Sequence, residues 1–525
     1  MPSSTTRYSW ERVLACCDSF KGTLTACDAG LAIERAFRGV EKGGSARADV
    51  VHCPMSDGGA GLLDSLLFPN HSQLSSPYTF SKVEVPTVGT TGSPGQPQPP
   101  LVVGPLGEPL NCSGSTYRPY FACDVANRVV VVEMAIASGL PMVPEEERNP
   151  LRTTSYGVGQ LIKYAVEYVA SEQHRMHGGD ADGGVTVFLG IGGSATNDGG
   201  LGALQALGVE MLVDSKVGGA RPLDTPFVGG DLGRLVGVRA TRAFQQMFLR
   251  AAGGSRKEPY CKEVRLIGDV ASPLVGPDGA TAIFGPQKCS STWDKARRES
   301  VLAQLERGML SASAAVAQSD LLGKPASEEQ VRRRLDALRH THGGGGAGGM
   351  SGLFRYVAGA KWMSGADVVA ELLGLPAKLQ RCDCMITGEG SFDEQTIRFN
   401  KTLGRLLQMV VVENMRRRAA GEKLLGDVLV ICGRTSYRDE EEVQRVLLDH
   451  MRKQKEHGDA GALAAAVPCV HLLALTPHHF PVSEALGNAG VCVEERMRRF
   501  LTGEERPAGE GHSVARAAEK KRSKL

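Results

Sequence analysis

Val185-Thr186-Val187-Phe188-Leu189 runs directly into Gly190-Ile191-Gly192-Gly193-Ser194-Ala195-Thr196-Asn197-Asp198-Gly199-Gly200. The first five residues read as a buried strand. Leu201 to Leu207, on the far side, reads as a helix. Five glycines, two hydroxyls, one amide and one carboxylate thus crowd a strand-to-helix turn. Glycine leaves backbone N–H groups free to face an anion, and the helix N-terminus adds partial positive charge. Ser194 and Thr196 can donate hydrogen bonds, and Asp198 can take a proton or hold a metal.

The pattern recurs along the chain. Val13-Leu14-Ala15-Cys16-Cys17 leads to Asp18-Ser19-Phe20-Lys21-Gly22, and Val264 to Ile267 leads to Gly268-Asp269-Val270. Cys384-Met385-Ile386-Thr387 leads to Gly388-Glu389-Gly390, and Val428 to Ile431 leads to Cys432-Gly433-Arg434. Helical stretches separate many of these runs. The first is signalled by Thr25 as cap, with Asp28 three residues on and Leu31, Ile33 and Phe37 as its apolar positions. Strands alternating with helices predict an α/β fold with largely parallel sheets. Ligands in such folds bind beyond the carboxyl ends of the strands, where these turns would lie. Residues 90–105, 174–184, 251–258 and 454–461 are polar or rich in Gly and Pro and read as loops, while Gly343 to Gly349 holds six glycines in seven positions and taken alone reads as a linker.

A length of 525 residues exceeds one ordinary core, so two domains are expected. Apolar residues make up 42% and charged residues 22%, the balance of a soluble globular protein. A net charge of +2 offers no field to draw nucleic acid or a membrane surface, and no apolar run approaches a bilayer span. The 13 cysteines are scattered and several sit in strand-like runs, which predicts buried free thiols in a reducing compartment. The chain ends in Ser523-Lys524-Leu525 after a polar tail expected to be disordered; that tripeptide is a receptor-read peroxisomal address, and predicts an import receptor as partner and a peroxisome or glycosome as location.

Phosphoryl transfer asks a site for positioning and charge neutralisation more than for covalent chemistry. Lysines serve as point charges on phosphate oxygens, carboxylates hold Mg²⁺, and one carboxylate can accept the alcohol proton. Lys21, Asp57, Asp198, Asp269, Lys288, Glu389 and Asp393 all fall in or beside the turns expected at strand ends. The spacing of a P-loop is absent there, and no Gly-x-Gly-x-x-Gly follows the first strand. Arg152, beside Thr153, Thr154 and Ser155, could grip a small carboxylate, or the hydroxyls could simply cap the helix from Val158.

Together these segments resemble the bacterial type I glycerate kinase family. The resemblance rests on Asp18-Ser19-Phe20-Lys21-Gly22, Pro54-Met55-Ser56-Asp57-Gly58-Gly59, Glu133-Met134-Ala135, Ser138-Gly139-Leu140 and Arg148-Asn149-Pro150. It continues through Thr153-Thr154-Ser155-Tyr156-Gly157, the Gly192 to Gly200 segment, Asp269-Val270, Phe284-Gly285-Pro286-Gln287-Lys288 and Thr387 to Asp393 with Gln395-Thr396. It implies two α/β domains. One, Rossmann- or flavodoxin-like, is built from residues 11–80 and 285–502. The other is a mixed α/β domain, residues 81–284, inserted in it, and 503–525 form the tail. The implied reaction is ATP- and Mg²⁺-dependent phosphorylation of D-glycerate, at the 2-hydroxyl. The implied roles are Asp198 as base with Asp57 as its rival, and Lys21 and Lys288 against phosphate. Gly192, Gly193, Ser194 and Thr196 would cradle nucleotide or phosphate, Asp269 and Glu389 would assist the metal, and Arg152 and Thr154 would orient the glycerate carboxylate. Gly343 to Gly349 then reads as a family turn. The chain departs from the family at Ala60, where a glutamate is usual, at Cys289, where glycine is usual, and at Phe399-Asn400-Lys401, a loop one residue longer. A kinase of another small hydroxy acid and a non-catalytic ligand-binding relative are the alternatives.

Overall fold

The structure, a computed structural model, describes residues 10–41, 48–69, 76–89, 96–177, 183–215, 218–248, 260–319, 327–454, 460–475 and 488–504. In chain order the strands are β1 (Arg12–Ala15), β2 (Asp49–His52), β3 (Ser81–Glu84), β4 (Tyr120–Asp124), β5 (Val129–Glu133), β6 (Val185–Gly190), β7 (Val209–Asp214), β8 (Ala220–Pro222), β9 (Leu235–Ala240), β10 (Cys261–Gly268), β11 (Lys361–Ser364), β12 (Cys384–Phe392), β13 (Asp427–Thr435) and β14 (Cys469–Ala474). The chain divides into two compact α/β units. Unit 1 comprises Met1–Asp57, Asp64–Tyr78 and Ala366–Leu525; unit 2 comprises Gly58–Leu63 and Thr79–Gly365.

Unit 1 is built on a five-stranded sheet in the order β14-β13-β12-β1-β2, with every pairing parallel. Its strands are apolar because both faces are covered. Val13, Ala15, Cys384, Ile386, Leu429 and Ile431 pack with Ile33, Phe37, Val493, Met497 and Phe500 from the helices Ala26–Glu41 and Ala489–Thr502. The first helix starts where its cap predicts. Asp28 N donates to Thr25 Oγ1 at 3.0 Å, and Thr25 Oγ1 donates back to the Asp28 carboxylate at 2.7 Å. From β1 the chain steps to β2 on one side, whereas β12, β13 and β14 build outward on the other. The boundary between β1 and β12 is therefore a topological switch point, the place where open parallel sheets leave a crevice at their carboxyl ends.

Unit 2 holds a six-stranded sheet, β11-β10-β6-β5-β4-β3, and a three-stranded antiparallel sheet, β8-β7-β9. The strands β11, β10, β6 and β5 are parallel, and β4 and β3 add antiparallel edges. The run Val129 to Val132 is fully buried at the centre. The 22-residue helix Tyr156–His177 covers one face through Val158, Leu161, Ile162, Ala165, Val166 and Val169.

Two expectations need correction. Residues 285–365, assigned from sequence to the split domain, fold with the middle of the chain instead. Packing explains it. The helix Lys295–Gln318 lies against Leu232, Ser319 Oγ accepts from Val238 N at 2.8 Å, Glu306 accepts from Gly276 N at 2.7 Å, and β11 completes the sheet beside β10. The turns expected at Gly388-Glu389-Gly390 and Cys432-Gly433-Arg434 are also not turns, because β12 and β13 run on to Phe392 and Thr435. The glycines there serve close approach. A Cβ on Gly388 would lie 2.3 Å from the Ile431 carbonyl oxygen, and one on Gly433 would lie 2.6 Å from that of Gly390. The expected loops at 251–258 and 505–525, and most of 454–461, lie outside the described residues.

Candidate active site

Unit 1 gathers charge at the carboxyl edge of its sheet. The register of β1 on β12 sets Asp18 beside Glu389, and Asp18 N donates to Gly388 O at 2.9 Å. Pairing of β1 with β2 continues past the strands, with Met55 N on Cys17 O at 2.8 Å, and carries the chain to Asp57. Lys21 sits at the tip of a tight reversal closed by Phe20 N on Leu24 O at 2.8 Å and Thr23 N on Phe20 O at 2.9 Å. The reversal needs the left-handed backbone of Gly22 at φ +80°. The Lys21 ammonium stands 3.7 Å from the Asp57 carboxylate, and its side chain is 85% exposed.

Burial, and next the negative charge of Asp57, push the Asp18 carboxyl up to about 7, against the opposing pull of hydrogen bonds from Thr402 and Ser19 N and of Lys21. Burial likewise lifts Glu389 to about 7, with Asp18 adding to the rise and Thr396 and Lys401 opposing it. Thr396 Oγ1 donates to Glu389 Oε1 at 2.9 Å. Lys401 follows Asn400, whose φ is +52°. Asp18, Asp57 and Glu389 form a donor set of hard oxygens. Burial, more than any other cause, holds two of them part-protonated near neutrality. That set suits Mg²⁺, which would favour the ionised form of both carboxyls.

Unit 2 carries the glycine turn at the carboxyl end of β6. Leu140 N donates to Gly193 O and Ala195 N to Ser138 O, both at 2.8 Å, so the turn is stitched to the segment after β5. On its other side Gly192 N donates to Gly58 O at 3.2 Å, and a Cβ on Gly192 would fall 2.4 Å from the Gly59 Cα. Glu133, buried at the end of β5, accepts from Gly61 N and Leu63 N at 3.2 Å each and holds the 58–63 strip in place. Gly343 to Gly349 is buried and pressed on the turn: Gly199 N donates to Gly348 O at 3.0 Å, and a Cβ on Gly348 would lie 2.0 Å from Thr196 O. It is a packed element, not a linker.

The two charged residues of this region are structural in their contacts. Asp198 is fully buried; its carboxylate accepts from Ser155 N at 2.8 Å, Ser155 Oγ at 2.7 Å, Gly200 N at 3.0 Å and Gly202 N at 3.3 Å. Burial raises its carboxyl, and those four bonds oppose the rise. An acceptor so occupied and screened fixes the turn to the following helix. Lys288, 2% exposed, donates from Nζ to Ser194 Oγ at 2.9 Å and to Thr196 O at 2.6 Å. Burial pulls its ammonium down to about 7, with the Asp198 charge working against the fall. Thr196 Oγ1 and Asn197 Oδ1 are buried without a hydrogen-bond partner, so the turn keeps two unspent polar atoms.

Thr153 Oγ1 donates to Ala195 O at 3.2 Å, which brings the 152–155 segment onto the turn. There Thr154 is buried, its hydroxyl accepting from Tyr156 N at 3.1 Å, and Arg152 is exposed. Asp269 is exposed just beyond β10. Unit 1 thus assembles Lys21, Asp57 and Glu389. Unit 2 assembles Gly192, Gly193, Ser194, Thr196, Asp198, Lys288 and Thr154. Asp18, Ser155 and Glu133 carry as much of the geometry as any of these. Their signal was present in motifs quoted above, yet only burial and register single them out.

Residues 13–453 match the model of the glycerate kinase family. The glycerate 2-kinase of Escherichia coli (strain K12) is 31% identical over 390 residues, 74% of this chain and 79% of that one. The glycerate kinase of Haemophilus influenzae (strain ATCC 51907 / DSM 11121 / KW20 / Rd) is 34% identical over 390 residues, with the same two coverages of 74% and 79%. A crystal structure from Salmonella typhimurium LT2, provisionally named glycerate kinase 2, superposes with a TM-score of 0.55 over 98% of this chain and all of that one, at 24% identity, and supports the fold. These relatives overturn the peroxisomal or glycosomal location read from Ser523-Lys524-Leu525, and leave its import receptor without support: they are bacterial proteins, and bacteria have no such organelle. That tripeptide also lies outside the described residues. Among the described residues no helix is long and apolar enough to cross a membrane. With the family model spanning most of its length, the chain belongs to the glycerate kinase family of phosphotransferases.

Proposed function

We propose that the chain transfers the γ-phosphoryl group of ATP to the 2-hydroxyl of D-glycerate, with Mg²⁺, giving 2-phosphoglycerate and ADP. The observation that carries this reading is the carboxylate set Asp18, Asp57 and Glu389 at the switch point of the unit 1 sheet, with Lys21 beside it. Phosphoryl transfer uses such a set for positioning and charge neutralisation.

Asp18 and Glu389 are the residues that would hold Mg²⁺; when bound, the ion supplies charge neutralisation on phosphate oxygens. Asp57 is the remaining carboxylate and takes the proton of the attacking hydroxyl, replacing Asp198 in that role. The exposed Lys21 ammonium offers a mobile positive charge to the transferring group. In unit 2 the exposed backbone at Gly193 offers an N–H group to an anion beside Gly192, whose own N–H is held by Gly58 O, and Lys288 with Asp198 holds that turn in shape. Within unit 2, Arg152 and Thr154 are the residues to orient the glycerate carboxylate.

Purified chain incubated with D-glycerate, ATP and Mg²⁺ should release ADP only when all three are present. L-Glycerate, glycolate and lactate in place of D-glycerate should give turnover lower by at least tenfold. Equal or faster turnover with another hydroxy acid would assign a different substrate, and no turnover with any of them would make the chain a non-catalytic relative.

A further inference from the structure

At the amino end of the unit 1 sheet, away from the carboxylates just described, lies a second cluster. Asp427 opens β13 and Cys469 opens β14; the two face each other in register. His471 is two residues beyond Cys469 and so points to the same face of the sheet. One ligand atom from each of Asp427, Cys469 and His471 lies within 4.8 Å of the other two. Asp427 is separated along β13 from Cys432, the register partner of Glu389, by five residues, about 16 Å at the rise of a strand.

The donor set is selective. A thiol, an imidazole and a carboxylate together suit Zn²⁺, whereas Mg²⁺ takes oxygen and avoids sulfur. The spacing is suitable too. His471 Nε2 and Asp427 Oδ1 share a 3.1 Å hydrogen bond, whose proton an ion would replace. Two ligands at Zn–N and Zn–O distances of about 2.0 Å and a tetrahedral angle are about 3.3 Å apart, so the pair is nearly set for a shared ion. Cys469 is exposed, which gives an ion a route in and leaves room for water as a fourth ligand.

The neighbours behave as outer partners of a metal site. Trp10 Nε1 donates to the other Asp427 oxygen at 2.9 Å. Glu440 Oε1 stands 3.7 Å from His471 Nδ1 and accepts from Leu472 N at 3.2 Å, so it is itself anchored. At that distance Glu440 acts on the ring through its charge, which makes the imidazole a stronger donor to a cation. His471 is also stacked at a tilt on Phe500, with ring centroids 5.6 Å apart.

We propose that Asp427, Cys469 and His471 form a Zn²⁺ site with Glu440 and Trp10 as its supporting partners, a clasp between β13, β14 and the segment leading into β1, separate from the site of phosphoryl transfer. Binding would deprotonate the Cys469 thiol and use the Nε2 lone pair of His471, releasing protons without any redox change.

The full chain, stripped of metal by chelator and dialysis, is titrated with Co²⁺ as a spectroscopic probe and then with Zn²⁺. One equivalent of Co²⁺ should give visible d–d bands and a near-ultraviolet thiolate-to-cobalt band, both removed by one equivalent of Zn²⁺. Cys469→Ser should abolish the thiolate band and weaken Zn²⁺ at least tenfold; His471→Gln should weaken it as much, and Cys492→Ser, in the helix Ala489–Thr502, should change neither. Absence of the thiolate band in the parent chain overturns the proposal. So does a band that persists in Cys469→Ser, because another thiol then holds the metal. Circular dichroism of each variant confirms that it folds, and Cys469, being exposed, tolerates the change to serine.

Discussion

Asp18→Asn should make the metal-free protein more stable above neutral pH while removing its activity. The side chain keeps its shape and its Oδ1 acceptor for Ser19 N but loses its charge. Burial and Asp57 lift the Asp18 carboxyl from 3.8 to about 7. At 1.36 kcal/mol per unit, a rise of roughly three units corresponds to about 4 kcal/mol. Part of the repulsion is shared with Asp57 and Glu389, so about 2–4 kcal/mol is the expected gain at pH 8. The sign follows from proton counting. With its folded value raised, the acid holds its proton between pH 4 and 7 when the unfolded chain has lost it. The folded state is therefore favoured by low pH and loses this contribution as pH rises through 7. Thermal unfolding of parent and variant from pH 4.5 to 8.5, without and with Mg²⁺, reads this directly. The parent should fall relative to Asp18→Asn as pH rises, the gap should close near pH 4.5, and Mg²⁺ should raise the parent midpoint more than that of the variant. Curves that run parallel across the whole range, or a variant uniformly less stable, would refute a buried carboxylate cluster short of positive charge.

Asp198→Asn should act on folding more than on chemistry, since an amide cannot accept from all four of its donors; a loss of about 2–4 kcal/mol in thermal unfolding is expected, and a fully stable variant with kcat down a thousandfold would restore it as the base. Gly348→Ala puts a Cβ 2.0 Å from Thr196 O at a left-handed φ of +64°, and should cost more than about 2 kcal/mol of stability in the same assay and disturb the glycine turn. Lys288→Met strands the Thr196 carbonyl and the Ser194 hydroxyl, and should lower stability by about 1–3 kcal/mol together with kcat/KM; a variant of unchanged stability with only KM for ATP raised would instead place Lys288 directly on phosphate.

The α/β architecture was legible because strands buried on both faces leave uninterrupted apolar runs. Val13 to Cys17 and Val185 to Leu189 each lead into a polar segment that the structure sets at a carboxyl edge. The edge strands β3 and β8 were not, since short exposed strands such as Ser81–Glu84 and Ala220–Pro222 carry no comparable pattern. The boundary at Gly365 was hidden for a related reason: the packing of Lys295–Gln318 onto Leu232 depends on contacts far apart in sequence. At the candidate site, residue type singles out Lys21, Asp57, Asp198 and Lys288 but not their states. Lys21 is out in solvent while Lys288 is enclosed, and only burial separates a mobile charge from a strut. Asp18 was overlooked beside Lys21 because its importance comes from register with Glu389, a residue more than 350 positions away.

The identity of the phosphorylated product tests the central claim most directly. Chain, D-glycerate, ATP and Mg²⁺ are incubated, and the quenched product is offered to enolase with phosphoglycerate mutase withheld. Immediate formation of phosphoenolpyruvate in amounts equal to the ADP released is the result expected of transfer to the 2-hydroxyl. Phosphoenolpyruvate appearing only after mutase is added would place the phosphate on the 3-hydroxyl and contradict the assignment.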